Sequence, residues 1–168
     1  FPQPDTLPFR LLSLTAISGE FPTSQLNRLP ASPYYLEAVV TALKKAGLLR
    51  TYYRDRLRGY RLGNKAKSVL LNGWPERFTF CLTGDAETNR LKSEANRRFR
   101  LHRLAETYIT MGNAGVLLYP DEKPKVFAQT GFGGEAVTYP AFYSSREVKE
   151  LGADATQIRS SRFAGEIG

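Results

Sequence analysis

The chain has 168 residues, of which 42% are hydrophobic and 12% aromatic, and its formal net charge is +8 at pH 7. This length allows one large domain or two small ones, and the aromatic content is higher than that of disordered chains. No apolar run approaches the roughly 20 residues of a membrane-spanning helix, so we expect no membrane partner.

One cysteine and one histidine limit the chemistry that the chain can carry. Cys81 alone permits no internal disulfide, which fits a reducing cytoplasm. Cys81 and His102 supply too few ligands for a usual zinc site, so we predict no metal and no cofactor. Catalysis by a Ser/His/Asp or Cys/His set would have to use His102. That residue lies among arginines on a predicted helix, which favours a helix-face or phosphate-contacting role.

Two helices are predicted in the first 30 residues. Apolar side chains at positions 11, 12, 14 and 17 repeat at helical spacing, Thr6 can cap this first helix, and Gly19 ends it. After a short extended link over residues 20–22, Thr23 caps a second, brief helix that ends at Leu29.

The third predicted helix has the strongest signals. Ser32 at the N-cap and Pro33 at the first helical position mark its start, and Gly47 marks its end. Its predicted buried stripe follows the i, i+3, i+4, i+7 pattern of an amphipathic helix and consists of Leu36, Val39, Val40 and Leu43.

A basic hairpin is predicted next. Residues 49–53 and 57–62 form two short strand-like runs joined by a tight polar link, and a further helix follows over residues 63–71. Residues 50–67 carry seven basic side chains and one acidic side chain, Asp55, a net charge of +6. Charge this concentrated on a strand–turn–strand pattern is what the phosphate backbone of a duplex attracts.

The order of helix, extended link, helix, helix and hairpin resembles the winged helix–turn–helix domains of bacterial DNA-binding proteins. The resemblance rests on TSQL at residues 23–26, the capped helix at 32–46, KAGLL at 45–49 and RGYRL at 58–62. It implies an α+β fold in which residues 1–73 form three helices and a β-hairpin wing, with double-stranded DNA as the partner. The third helix would enter the major groove, and the wing would lie over a minor groove or the flanking backbone.

Exposed side chains of these elements supply the predicted DNA contacts. Lysine can reach guanine in the major groove, threonine can touch a thymine methyl, and tyrosine can reach a phosphate. The predicted DNA-contacting residues of this domain are Tyr34, Thr41, Lys44, Lys45, Arg54, Arg56, Arg58, Arg61 and Lys65. Winged helices also serve as protein-interaction modules whose basic surfaces only solubilise the protein, so a protein-interaction adaptor remains an alternative function.

A second domain is predicted over residues 74–168. Gly-Trp-Pro at residues 73–75 marks the boundary, and the chain ends without a polar tail, as a truncated domain would. One long helix is predicted over residues 86–111, about 40 Å in length, followed by a small α/β segment. A homodimer through this helix is a further expectation.

The predicted long helix carries a second basic cluster. Arg97 and Arg100 share a helix face with Arg103, and this face could extend the DNA contacts. A solvated helix face balanced by Glu94 and Glu106 is the alternative interpretation.

A second resemblance covers most of the chain. A winged helix, an arginine-rich helix with RLHRLAETY at residues 100–108, and a small α/β segment are together similar to the replication-relaxation proteins of plasmids and integrative elements. This resemblance implies a role on mobile-element DNA in replication and transfer. Transcriptional regulation is the other setting that a bacterial winged helix implies.

A nuclease-like metal site is the enzymatic alternative. Glu147 and Lys149 match the E-x-K half of a restriction-type signature, and Asp121 could be the upstream carboxylate that helps to hold Mg²⁺. The spacing of Ser144 and Glu147 also predicts a helix capping box, which would place Glu147 in a first helical turn instead of on a strand. We therefore expect a non-enzymatic DNA-binding protein.

Overall fold

The computed structural model describes residues 1–123, 140–144 and 147, and every structural statement below concerns these residues. The fold is α+β, with helices surrounding a small antiparallel sheet. The helices are α1 (Leu7–Ser18), a 3-10 helix (Thr23–Arg28), α2 (Pro33–Lys45), α3 (Asn64–Gly73), α4 (Pro75–Leu82), α5 (Gly84–Leu91) and α6 (Ala95–Asn113). The strands are β1 (Phe21–Pro22), β2 (Leu49–Arg54) and β3 (Leu57–Leu62), in the order β1-β3-β2.

Helix α1 is the centre of the core. It contacts α2, α4, α6 and β3, so every residue from position 11 to position 18 is buried. The buried hydroxyls of Thr15 and Ser18 donate hydrogen bonds to the carbonyls of Leu11 and Leu14, respectively, one helical turn earlier. The predicted cap is wrong in detail, because the Thr6 hydroxyl donates to the Gln3 carbonyl and not to the helix.

Helix α2 matches its prediction closely. The Ser32 side chain accepts a hydrogen bond from the Tyr35 amide, and Pro33 occupies the first helical turn. The predicted stripe is buried. Gly47 follows the helix with a φ of +70°, a conformation that glycine adopts without strain.

The predicted hairpin consists of β2 and β3. Residues 49–54 pair with residues 57–62, and Arg54 pairs with Leu57 at the turn. Asp55 and Arg56 form the turn itself with φ angles of 51° and 61°, so both lie in the left-handed region. This is the backbone geometry of a two-residue hairpin turn, made here without glycine.

The single long helix predicted over residues 86–111 is wrong. Lys92 and Glu94 have ψ angles of 139° and 131°, and this extended link separates α5 from α6. The link brings Ser93 against β2, where its Oγ atom accepts a hydrogen bond from the Tyr52 hydroxyl at 2.7 Å. A long-range contact thus interrupts a segment whose local sequence favours a continuous helix.

A compact unit extends from Phe1 to Ala114, past the boundary predicted at residue 73. The Trp74 ring packs on the Phe9 ring of α1, with centroids 4.7 Å apart. Helix α4 packs on α1, and α6 packs on α1, β1 and β3. Residues 75–113 are therefore part of the same core as the N-terminal helices.

The remaining unit begins at Gly115, and its described part is small. Leu117 and Ala141 form a parallel bridge, and Ser144 and Glu147 form the predicted capping box. The Ser144 amide donates to the Glu147 carboxylate, and the Glu147 amide donates to the Ser144 hydroxyl. The rest of the predicted α/β segment lies outside the described residues. Throughout the described chain, no helix combines the length and apolar character needed to cross a membrane.

Candidate nucleic-acid interface

The structure divides the seven basic residues of positions 50–67 into two groups. Arg61 forms an ion pair with Glu20, and Lys67 forms an ion pair with Glu87. Arg61 is only 2% exposed, so its predicted contact with phosphate is wrong. The other five residues have exposed side chains and are Arg50, Arg54, Arg56, Arg58 and Lys65.

The pairing register places Arg54 and Arg58 on opposite faces of the hairpin. Side chains alternate along a strand and cross-strand partners share a face. Arg58 pairs with Tyr53, whereas Arg54 pairs with Leu57 and shares its face with Tyr52. The three arginines predicted as one cluster thus face different directions, with Arg56 in the turn between them.

Helix α2 presents the predicted polar face to solvent. Tyr34 is 85% exposed, and Thr41, Lys44 and Lys45 are exposed as well. Glu37 lies on the same exposed side and is its one acidic residue. The two lysines occupy the last helical turn, where a positive charge also favours the helix dipole.

Tyr60 of β3 shows which face of the hairpin lies beside α2. Burial raises the pKa of its phenol, Arg58 on the same strand lowers that pKa, and Glu37 on α2 raises it. Both charged side chains therefore lie within electrostatic reach of the Tyr60 ring. Since Tyr60 and Arg58 are two apart on β3, the Arg58 face of the hairpin is the one beside α2.

The opposite face of the hairpin covers a buried ionic cluster around Glu20. The Glu20 carboxylate accepts hydrogen bonds from Arg61 Nε at 2.7 Å and from Arg98 Nη2 at 2.5 Å, and His102 Nε2 lies 2.8 Å from it. Burial raises the pKa of Glu20, but the hydrogen bonds from His102, Arg98 and Arg61 outweigh burial and lower the pKa from 4.5 to about 2. Glu20 is therefore ionised at neutral pH.

Tyr52 and Gly59 close this cluster from the hairpin side. The guanidinium carbons of Arg61 and Arg98 lie 3.9 Å and 4.7 Å from the centroid of the Tyr52 ring, in cation–π contact. A Cβ atom at Gly59 would lie only 2.3 Å from the Glu20 carboxylate, so a larger residue there would displace it. The cluster thus requires glycine at this strand position.

The basic cluster predicted on α6 is also divided. Arg98 is fully buried and His102 is 9% exposed, so the helix-face or phosphate-contacting role expected for His102 is wrong. Arg97 is half-buried and donates to the Asn89 carbonyl, while Arg100 and Arg103 are exposed.

The apolar side of α6 is buried within its own unit and is not available to a second copy of the chain. The buried apolar residues of this helix are Leu101, Ala105, Tyr108 and Ile109. The expected homodimer would therefore have to use other side chains of α6.

Glu20 was not among the predicted functional residues. Its signal is visible afterwards: Glu20 is the only charged residue between Arg10 and Arg28, in a segment of apolar and small polar residues. An isolated acid in such a segment points to a buried charge, which needs partners. The partners lie 41, 78 and 82 residues away along the chain, so the sequence does not identify them.

Of the three predicted nuclease residues, the described structure gives Glu147 a different role. Glu147 forms the capping box and an ion pair with Lys123. Asp121 is exposed, and Lys149 lies outside the described residues. Among the residues that the structure describes, no group of three or more His, Cys, Asp or Glu side chains could hold a metal ion.

The exposed polar face of α2, Arg58 on the hairpin face beside it and Arg56 in the turn form the candidate interface, whereas Arg50 and Arg54 lie on the other face of the hairpin. Comparison of this chain with protein-family models, with curated proteins and with solved structures finds no match.

Proposed function

We propose that the unit Phe1–Ala114 binds double-stranded DNA, with α2 in the major groove and the β2–β3 hairpin against the flanking phosphates. The observation that carries the proposal is the packing of α2 against β2 of the hairpin, with Glu37 of α2 and Arg58 of β3 both within electrostatic reach of Tyr60. Exposed lysines of α2 and exposed arginines of the hairpin can then contact one duplex together.

The element order supports this function. A helix, a short strand, a 3-10 turn, a capped helix and a hairpin, with the strand order β1-β3-β2, are what a winged helix–turn–helix domain requires. The proposed base contacts come from Lys44, Lys45 and Thr41, and Tyr34 contacts phosphate. The proposed phosphate contacts on the hairpin and α3 are Arg56, Arg58 and Lys65, with Arg54, Arg97 and Arg100 further from α2.

A binding titration with a labelled random-sequence duplex at several salt concentrations tests the proposal. We expect the logarithm of the affinity to fall linearly with the logarithm of salt concentration, by about 0.9 per phosphate contact. Arg58→Ala should reduce that slope by about 1 and weaken binding to all sequences, whereas Lys45→Ala should change the preference among sequences.

Two matched variants distinguish a specific phosphate contact by Arg58 from a general effect of the protein's positive charge. Arg54→Ala removes the same charge from the other face of the hairpin, where Asp55 is 3.6 Å away, and should cost less affinity than Arg58→Ala. Arg10→Gln removes a charge near Asn113, about 20 Å along α6 from Arg98, and should leave the salt slope unchanged. Affinity that is independent of salt, or equal losses in all three variants, would contradict the proposal.

A further inference from the structure

Arg98 of α6 reaches across to the backbone of the hairpin turn. Its Nη1 atom donates to the Arg54 carbonyl at 2.7 Å, and its Nη2 atom donates to the Leu57 carbonyl at 3.0 Å. Arg54 and Leu57 are the last paired residues before the turn. One fully buried side chain thus binds both strands of the hairpin at the point where they separate.

The same guanidinium is itself held in place. Arg98 Nε and Nη2 donate to the Glu20 carboxylate at 3.1 Å and 2.5 Å, and the Tyr52 ring covers its face. The planar guanidinium carries five N–H donors in a fixed arrangement, which lets one side chain bind a carboxylate and two carbonyls at once. A lysine ammonium, with three donors on a flexible chain, does not reproduce that arrangement.

The tip of the hairpin needs such support. Strand β1 pairs only with Gly59 and Tyr60 of β3, so residues 53–58 form a two-stranded ribbon, which is only marginally stable by itself in water. Its strand β2 is an edge strand, and its two turn residues both have positive φ. The Arg98 bonds fix the turn to α6, while α2 contacts the start of the hairpin through β2.

We propose that Arg98 is the positioning residue that holds the DNA-binding hairpin at the correct angle to α2, which makes α6 a functional part of the DNA-binding unit. This inference rests on the function proposed above. Arg98 is buried and touches no DNA; it acts through the position of Arg56 and Arg58.

Amide hydrogen exchange of the full chain tests the positioning without DNA. We expect Arg98→Met to accelerate exchange at the paired amides of residues 52–59 by at least tenfold, while the amides of α1 and α2 keep their protection. Arg103→Met removes an exposed arginine five residues further along α6 and should leave the hairpin unchanged. Hairpin exchange equal to that of the unchanged chain would overturn the proposal.

A double-mutant cycle with Arg58 tests the consequence for DNA. At 0.15 M salt one phosphate contact contributes about fivefold to affinity, so Arg58→Ala should cost about fivefold in the unchanged chain. In the Arg98→Met chain the displaced hairpin no longer places Arg58 against the phosphate. The loss of affinity caused by Arg58→Ala should then fall below about twofold. A general loss of stability would leave the Arg58 cost the same in both backgrounds, and that result would also overturn the proposal.

The two proposals fail in different ways. If the unchanged chain shows no salt-dependent DNA binding, the proposed function fails, and the exchange measurement still reports whether Arg98 holds the hairpin. Should Arg98→Met fail to fold because Glu20 keeps only Arg61 and His102 as partners, Arg98→Lys keeps a cation beside Glu20 but cannot bond both hairpin carbonyls, and both measurements are repeated with it.

Discussion

Glu20 shows how a single residue links distant parts of this chain. Its carboxylate joins the segment before β1 to Arg61 of β3 and to Arg98 and His102 of α6. A buried carboxylate without partners costs several kcal/mol, so all of these elements must assemble together around Glu20. The cluster therefore couples the position of the hairpin to that of α6.

The low pKa of Glu20 predicts how stability depends on pH. The folded-state pKa of about 2 lies below the ordinary value of 4.5, so the ionised carboxylate stabilises the fold above pH 4.5, and this contribution is lost as the pH falls toward 2. The full contribution is about 3 kcal/mol, of which about 2 kcal/mol disappears between pH 5 and pH 3.

Urea unfolding at pH 5, 4 and 3 measures this contribution. The decrease in the free energy of unfolding should be about 2 kcal/mol smaller in Glu20→Gln than in the unchanged chain, because Gln does not titrate. Glu76→Gln removes an exposed carboxylate and is the control. Identical pH dependence in Glu20→Gln and the unchanged chain would show that Glu20 is not held ionised by its partners.

Individual site residues were predictable only where local pattern decides exposure. Tyr34, Thr41 and Lys44 are exposed as the α2 helical pattern predicts. Arg61 and His102 carry the same local signals as their exposed neighbours, yet both are buried because Glu20 lies beside them in the fold. Charge density along the sequence does not reveal which cations are neutralised internally.

At the scale of elements, prediction succeeded where start and stop signals are local. Helix α2 begins at a Ser-Pro pair and ends before Gly47, and the hairpin is bounded by Gly47 and Gly63. The break between α5 and α6 was not predictable, because it depends on the contact between Ser93 and Tyr52, 41 residues apart.

The two helix starts at Ser32 and Thr6 allow a matched test of capping. The Ser32 side chain accepts from the Tyr35 amide, so Ser32→Ala should lower the free energy of unfolding by about 1 kcal/mol. Thr6 occupies the equivalent position before α1 but makes no capping hydrogen bond, so Thr6→Ala should cost less than about 0.5 kcal/mol. Chemical denaturation compares the two variants directly, and an equal or larger cost at Thr6 would contradict the role assigned to Ser32.

The extent of the whole unit was the least predictable feature. Gly73-Trp74-Pro75 has the composition of a linker, but Trp74 packs on Phe9, and the helices that follow cover α1. Turn-forming residues mark the end of an element equally well inside a domain and between domains. Only the three-dimensional contacts distinguish these two cases, and here they join residues 75–113 to the N-terminal core.

The position of the unit boundary predicts how two shortened chains behave. A chain of residues 1–73 lacks α4, α5 and α6. Because α4 and α6 pack on α1, their loss uncovers part of a helix whose buried apolar residues include Leu11, Leu12 and Ile17. Each large apolar side chain that returns to water costs roughly 1.5–3 kcal/mol, so the loss of several is comparable with the roughly 5–15 kcal/mol that stabilises a typical domain.

We therefore expect residues 1–73 to show no cooperative thermal transition by circular dichroism, and residues 1–114 to unfold cooperatively. Under the proposed function, residues 1–114 should also match the full chain in affinity for duplex DNA. The longer fragment restores both the cover of α1 and the Arg98 bonds to the hairpin, so it is the matched control for the shorter one. Cooperative unfolding of residues 1–73 at the same temperature as residues 1–114 would place α6 outside the folding unit and would remove the structural basis for coupling it to the hairpin.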